Sequence, residues 1–311
     1  MAHSRRNVGR KNQPNRPPAT SKQSDRDRPA PGLYLVATPI GNLRDITLRA
    51  LDILGAADIV YCEDTRVTGK LFAAHDIATP LASYHEHNAG QMRPKIIKRL
   101  EDGEVVALVS DAGTPLISDP GFKLVSVCRD RALPVTAIPG PSALVAALVV
   151  SGLPTDRFHF VGFLPPRGPQ RRRALGEVSR LRATLVVYET GARVAKLMAD
   201  MAEILGPRSA AIARELTKLH EEVRGGTLAE LAEALAEESA PKGELVVVVG
   251  SPENVAASDI DLDAELRRSL ATLSLRDAVA EVASVTGLPR RQVYARALAL
   301  APAVGKLRSM P

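Results

Sequence analysis

Two consecutive α/β domains, the first on a largely parallel sheet, followed by a small helical C-terminal segment, are what this sequence predicts. Three observations carry the prediction. From Gly32 onward short apolar runs alternate with helix-like stretches, the strand–helix rhythm of a parallel sheet. The rhythm pauses at Gly152-Leu153-Pro154 and restarts at Phe158. With 311 residues, 45% of them hydrophobic, the chain fills two modest cores more readily than one large one.

The elements follow in order. Residues 33–37 read as a strand and 47–54 as a helix with Thr47 as its cap. Residues 58–62 form a second strand, and 65–74 and 89–101 are helices. Residues 105–109 are apolar throughout, as in a strand buried on both faces, and a helix follows over 122–131. Residues 134–138 read as strand and 141–150 as helix, with Pro141 in the first turn, where its missing N–H costs little. After the pause, 158–163, 183–188, 210–214 and 244–249 read as strands, and 193–205 and 227–238 as helices. Residues 251–263 read as a linker. Residues 264–300 are helical around a break at Gly287-Leu288-Pro289. That pair resembles a helix-turn-helix with Arg290, Arg291 and Arg296 on its second helix, although a hairpin that merely packs has the same pattern. The expected divisions are a disordered basic leader over 1–31, domains over 32–151 and 152–255, and the helical segment over 256–311.

Composition excludes several classes of function. Aromatic residues are 3% of the chain and tryptophan is absent, so an extended aromatic platform for nucleic-acid bases is not expected. Cys62 and Cys128 form no pair motif, which suits a reducing, cytoplasmic setting. The longest apolar run, around 143–150, is too short to cross a bilayer, and the N-terminus lacks the apolar core of a secretory signal. The net charge of +6 comes from the leader, where Arg5, Arg6, Arg10, Lys11, Arg16, Lys22, Arg26 and Arg28 face only Asp25 and Asp27. Such a leader either solubilises the chain or acts as a non-specific arm for a polyanion.

Chemistry concentrates in three loops, each following a strand of the first domain. They are Thr38-Pro39-Ile40-Gly41-Asn42-Leu43, Glu63-Asp64-Thr65-Arg66, and Ser110-Asp111-Ala112-Gly113-Thr114-Pro115-Leu116-Ile117-Ser118-Asp119-Pro120-Gly121. Ligands of open parallel sheets sit beyond the carboxyl ends of the strands, so these loops predict a site at that edge. Neither the glycine fingerprint of dinucleotide sites nor a Walker loop is present. Glu63-Asp64-Thr65-Arg66 reads equally as a helix-capping cluster, with Asp64 the cap. His85-Glu86-His87 has a metal-like look but lacks an evident third ligand; a polar loop beside the substrate is the alternative. Pro165-Pro166-Arg167-Gly168-Pro169-Gln170-Arg171-Arg172-Arg173 reads as a Pro/Gly loop whose arginines clamp RNA phosphates, or as a solvated charge run.

Taken together in order, the three loops and Pro139-Gly140-Pro141-Ser142-Ala143, Ser151-Gly152-Leu153-Pro154, Gly162-Phe163-Leu164-Pro165, Arg214-Glu215-Leu216-Thr217-Lys218 and Lys242-Gly243-Glu244 closely resemble the tetrapyrrole methylase superfamily, and within it the branch that methylates small-subunit ribosomal RNA. The resemblance implies two α/β domains with S-adenosyl-L-methionine in the cleft between them, 2′-O-methylation of a decoding-region cytidine ribose in 16S rRNA of the small ribosomal subunit, and a homodimer. It places Pro39, Gly41, Asp111, Gly113, Thr114, Pro115, Ile117, Ser118, Ser142, Ala143, Phe163, Leu164, Lys242, Gly243 and Glu244 at the cofactor. A tetrapyrrole methylase, and a cofactor-binding RNA-assembly factor without turnover, are the competing readings. The family pattern Tyr-Glu-Ser-x-x-Arg stands here as Tyr188-Glu189-Thr190-Gly191-Ala192-Arg193, keeping the glutamate and the arginine.

On that reading a carboxylate or neutral lysine would help remove the ribose proton, and Asp64, Glu63, Glu215 and Lys218 are the candidates. Arg66, Arg167, Arg171, Arg172, Arg173 and Arg193 are the candidate RNA contacts. No metal is expected.

Overall fold

The computed structural model describes residues 28–118, 121–252, 262–286 and 288–307. Most of the basic leader, Asp119, Pro120, most of the 251–263 linker and Gly287 lie outside the described residues. The chain divides into two compact units, Met1–Ser142 and Ala143–Pro311.

The first unit is a five-stranded sheet of β1 (Gly32–Val36), β2 (Ile59–Cys62), β3 (Leu81–Ser83), β4 (Val105–Val109) and β5 (Val135–Ile138), in the order β3-β2-β4-β1-β5. Every pairing is parallel; Leu33 of β1 lies opposite Val106 on one side and Val135 on the other. Four helices cover it: α1 (Leu48–Ala56), α2 (Thr65–Ala74), α3 (Ala89–Glu101) and α4 (Phe122–Asp130). The period-two alternation of the strands divides these helices between two faces. Tyr34, Val36, Ala107 and Val109 pack with Ile53 and Leu54 of α1 and Phe72 of α2. Their neighbours Leu33, Val106 and Leu108 pack with Ile96 and Leu100 of α3 and Leu124 of α4. Thr47 caps α1 as its sequence predicts, its side chain accepting a hydrogen bond from the Ala50 N–H.

The second unit holds α5 (Ala143–Val150), β6 (Phe158–Phe163), α6 (Gly168–Val178), β7 (Thr184–Thr190), α7 (Gly191–Leu205), β8 (Ser209–Arg214), β9 (Glu222–Thr227), α8 (Leu228–Glu237) and β10 (Glu244–Val249). Its sheet runs β6-β7-β10-β8-β9. Only the β6–β7 pairing is parallel; the others are antiparallel. Leu185, Val187 and Val247 from the strands meet Leu197, Met198 and Met201 of α7 and Leu228 and Leu231 of α8 in its core. Thr227 and Glu230 form a capping box on α8.

Besides the strands β3 and β9, which the sequence does not predict, two features differ from its expectation. Residues 168–173, read as the end of a Pro/Gly loop, open α6, because a proline at the first helical turn starts a helix as readily as it ends a loop. Among the described residues the C-terminal segment has three helices: α9 (Leu262–Leu270), α10 (Leu275–Thr286) and α11 (Arg290–Leu307). Leu266, Val279, Val282 and Val293 join them in a core of their own. The extra break falls at Ser274, whose hydroxyl accepts from the Asp277 N–H and so caps α10. No helix among the described residues is long and apolar enough to cross a membrane.

Candidate functional site

The chain leaves β1 toward α1 on one face of the first sheet and leaves β4, its neighbour, toward α4 on the other. Diverging connections from adjacent strands open a crevice at their carboxyl ends, the usual ligand position in such sheets. The motif loops of the sequence sit at this point. Thr38 and Gly113 form an antiparallel bridge across it, with N–H···O distances of 2.9 and 3.0 Å. The buried Thr38 hydroxyl donates to the Ser110 carbonyl at 3.1 Å, and the Ser110 hydroxyl donates to the carbonyls of Ala112 and Gly113. The Thr114 hydroxyl donates to the Pro141 carbonyl at 3.1 Å, tying in the loop after β5.

Backbone geometry in this crevice is unusual. Gly113 has φ +80°, and a Cβ there would lie 3.3 Å from Cγ2 of Ile40. A Cβ on Gly140 would lie 3.0 Å from that of Ala37. Leu116 and Ser118, which are not glycines, hold left-handed φ of 73° and 67°. Such conformations cost about 1–3 kcal/mol each and cluster at binding loops. Pro39, Gly113 and Pro115 are buried, whereas Gly41, Thr114, Ile117 and Ser118 are exposed and Asp111 and Ser142 half-buried.

Asp64 is the cap of α2, accepting from the Arg66 backbone N–H at 2.8 Å, and its own N–H donates to Asp111 at 3.0 Å. Arg66 closes back on it through Nε at 3.0 and 3.1 Å and through a terminal nitrogen at 2.6 Å. These hydrogen bonds from the Arg66 side chain and backbone hold the Asp64 carboxyl down at about 2, from an ordinary 3.8. A depressed carboxyl contributes stability that is present above its unfolded pKa and is lost as pH falls through the folded one. The Asp64 side-chain NMR signal is therefore expected to titrate near pH 2; a midpoint near 3.8 would show that Arg66 does not hold it in solution. Of the three ionisable residues in this motif, Glu63 alone has an exposed side chain with no ion pair or hydrogen bond among the described residues.

In the second unit, Glu215, Lys218, Gly243 and Glu244 come together. Glu215 Oε1 accepts from Lys218 Nζ at 3.0 Å and from the Glu244 N–H at 3.1 Å, and Lys218 Nζ reaches Glu244 Oε2 at 3.2 Å. Gly243, at φ +98°, has no room for a Cβ, which would stand 2.2 Å from Glu215 Oε1. Burial alone would lower the Lys218 pKa, but its hydrogen bonds to Glu215 and Glu244 outweigh burial and the net shift is upward. Lys218 is thus held as an ammonium with no lone pair to offer. Lys242 is exposed, and its carbonyl accepts from Arg214 at 3.2 Å.

Phe163 is exposed and lies edge-on to Tyr188 with ring centroids 5.6 Å apart, while Leu164 is buried. The Tyr188 hydroxyl accepts from the Leu144 N–H at 3.0 Å, fixing the chain next to the half-buried Ala143. Arg193, a candidate RNA contact, is committed instead to the fold: it pairs with buried Glu189 at 3.1 Å and donates to the Leu164 carbonyl at 2.8 Å.

The arginine cluster also departs from its reading as a clamp. Arg171 is buried and reaches Asp200 at 2.6 Å; Arg172 pairs with Asp200 and Glu203. Only Arg167 and Arg173 remain exposed, the latter with an i,i+4 contact to Glu177 at 3.3 Å. In the C-terminal helices Arg296 pairs with Asp263. The His85 and His87 rings stand edge to face, 6.0 Å between centroids, and the Asn88 side chain accepts from the His85 N–H.

One cavity of about 650 Å³ opens on the α3–α4 side of the first sheet, walled by Glu63, Glu86, Arg93, Ser118, Phe122 and Lys123. Sequence reading placed Glu63, Ser118 and the loop holding Glu86 near a ligand, but missed Arg93, Phe122 and Lys123. The available signal was Phe122: the apolar stripe of α4 runs through Leu124 and Cys128, which leaves this ring outside it.

The family model for tetrapyrrole (corrin/porphyrin) methylases matches residues 32–232, and a model described as the RsmI C-terminal HTH domain matches residues 256–301. The chain is 50% identical over 277 residues to ribosomal RNA small subunit methyltransferase I of Mesorhizobium japonicum, covering 89% of this chain and 94% of that one. It is 44% identical to the protein of the same name from Vibrio cholerae, over 85% and 93% of the two chains. Among solved structures, diphthine synthase superposes with a TM-score of 0.56 at 18% identity, covering 70% of this chain and 89% of that one. A cobalt precorrin-4 methyltransferase superposes with a TM-score of 0.53 at 17% identity, over 70% and 94%. These two likenesses establish the shared fold.

Proposed function

This chain belongs to the tetrapyrrole methylase family, in its ribosomal RNA small subunit methyltransferase I branch, and from that premise we propose that it methylates 16S rRNA of the small ribosomal subunit. In the finer form of the proposal, S-adenosyl-L-methionine is the donor and a ribose 2′-hydroxyl of a decoding-region cytidine is the acceptor, in the cytoplasm and by a homodimer. The observation that carries it is the crevice between β1 and β4, where the family motifs present main-chain groups rather than a phosphate cradle.

The crevice fits an adenosyl cofactor. Two glycines bring three loops to backbone contact, exposed Thr114 and Ser118 offer hydroxyls, and exposed Ile117 offers an apolar surface. Pro39, Gly41, Asp111, Gly113, Thr114, Pro115, Ile117, Ser118 and Ser142 would hold it there. Bound, it supplies an electrophilic methyl group. The residues of the chain orient the acceptor and take its proton. With Asp64 tied to Arg66 and Lys218 protonated, we assign proton removal to Glu63.

Gly113→Ala is expected to weaken S-adenosyl-L-methionine binding about tenfold, because a left-handed alanine costs about 1–2 kcal/mol and the loop relaxes away from its binding form. Calorimetry on the full chain checks this; unchanged affinity would remove the loop from the site. The same titration on single variants tests Ala143, Phe163, Leu164, Lys242, Gly243 and Glu244. The overall function is tested by transfer of labelled methyl from S-adenosyl-L-methionine to unmodified 30S subunits, with nuclease digestion to locate a 2′-O-methylnucleoside. Label appearing in a porphyrinogen and not in RNA would sink the proposal.

A further inference from the structure

We propose that the cavity walled by Glu63, Glu86, Arg93, Ser118, Phe122 and Lys123 receives one splayed-out nucleotide of single-stranded RNA, its base on Phe122 and its phosphate on Arg93 and Lys123. The proposal rests on the reading of the chain as an RNA methyltransferase and names the substrate pocket of that reading. A volume of about 650 Å³ lies within the range of small-molecule sites, roughly 300–1,000 Å³. Phe122 is 75% exposed, so its ring contributes little to the core, and a lone exposed ring at a pocket mouth is a surface for a base. Gly121 makes this placement possible: at φ +143° it has no Cβ to strike Leu116 Cδ1, which would lie 2.9 Å away.

The charges fit a nucleotide better than a porphyrinogen. Arg93 Nε is buried without a hydrogen-bond partner, and Lys123 has no ion pair among the described residues, so both cations are available to an anion. Glu63 and Glu86 stand in the same wall, where they accept from ribose hydroxyls and base amino groups but repel a ligand rimmed with carboxylates. Ser118 belongs both to this wall and to the loop assigned to the cofactor, which places the cavity beside that loop.

The test uses the full chain and a short fluorescent single-stranded oligoribonucleotide, with binding followed by anisotropy. Phe122→Ala is expected to weaken binding about tenfold, and Phe122→Tyr to retain it, because stacking needs a ring. Arg93→Gln and Lys123→Gln are expected to weaken binding and flatten its salt dependence, as loss of a phosphate contact requires. Affinity for S-adenosyl-L-methionine is expected to stay unchanged in all four. The exposed Phe122 is not needed for folding, so its two variants keep the test valid if Arg93→Gln unfolds. Phe122→Ala and Lys123→Gln both within twofold of wild type would overturn the pocket. If the wild type binds the oligonucleotide in a Phe122-dependent way yet transfers no methyl to 30S subunits, the pocket stands and the rRNA methylation reading falls. If it methylates 30S subunits and the variants bind and turn over normally, only the pocket falls.

Discussion

Replacing Arg171 by alanine is expected to destabilise the protein by about 3–5 kcal/mol, while Arg173→Ala leaves stability within about 0.5 kcal/mol. The two residues are neighbours in a run of three arginines, yet their surroundings are opposite. The Arg171 and Asp200 side chains are 7% and 13% exposed, and Arg171 reaches one carboxylate oxygen through Nε at 2.7 Å and a terminal nitrogen at 2.6 Å. It also donates to the Pro166 carbonyl at 3.3 Å, fixing the entry to α6. Truncation leaves Asp200 facing a cavity with only Arg172 to balance it, and uncompensated buried charge is the expensive part. Arg173, 84% exposed with a single i,i+4 partner, has little to lose. Urea unfolding of the full chain measures both. The double variant Arg171→Met with Asp200→Leu is expected to recover most of the loss, since removing the pair together leaves no orphaned charge. A loss below about 1 kcal/mol for Arg171→Ala would mean that the pair is not formed in solution.

That contrast marks where reading the sequence succeeds and where it stops. Strands such as Val105–Val109 are legible because burial on both faces demands apolar residues at every position. The edge of the first sheet is legible because its three ornate loops each follow such a strand. β3 escapes notice: three residues carry no usable period, and only pairing with β2 makes them a strand. β9 escapes for another reason. Glu222-Val223-Arg224-Gly225-Gly226-Thr227 looks like a polar loop, but edge strands tolerate charge and glycine, and Arg224 finds Glu222 and Glu238. The pairings of Arg171 with Asp200 and of Arg193 with the Leu164 carbonyl join residues 29 positions apart. Local pattern holds no record of such contacts, so an arginine that anchors a fold and one offered to RNA look alike until the chain is folded.

The same limit separates the candidate bases, and it leads to the largest kinetic effect expected here. Glu63→Gln is expected to lower the single-turnover rate of methyl transfer by roughly 10²–10⁴-fold, the usual contribution of a positioned base. The affinity for S-adenosyl-L-methionine should not change. Four residues share the chemistry this role needs, but three are spoken for by the structure. Asp64 caps α2 and grips Arg66; Lys218 is pinned as an ammonium between Glu215 and Glu244; Glu215 accepts two hydrogen bonds and lies against Gly243. Glu63 alone is exposed and unpaired among the described residues, in the wall of the cavity proposed for the nucleotide. Glutamine keeps its shape and its ability to accept a hydrogen bond, so RNA held by Phe122, Arg93 and Lys123 still binds, and measurement at saturating RNA isolates the chemical step. Formate added to the variant is expected to restore part of the rate by supplying the missing carboxylate, which a merely structural role for Glu63 would not permit. Asp64→Asn, by contrast, removes a charged partner of Arg66 and is expected to change stability more than rate. If Glu63→Gln stays within threefold of wild type while Asp64→Asn falls a hundredfold, the roles assigned to the two carboxylates are reversed, and the Arg66 contact must open when RNA binds.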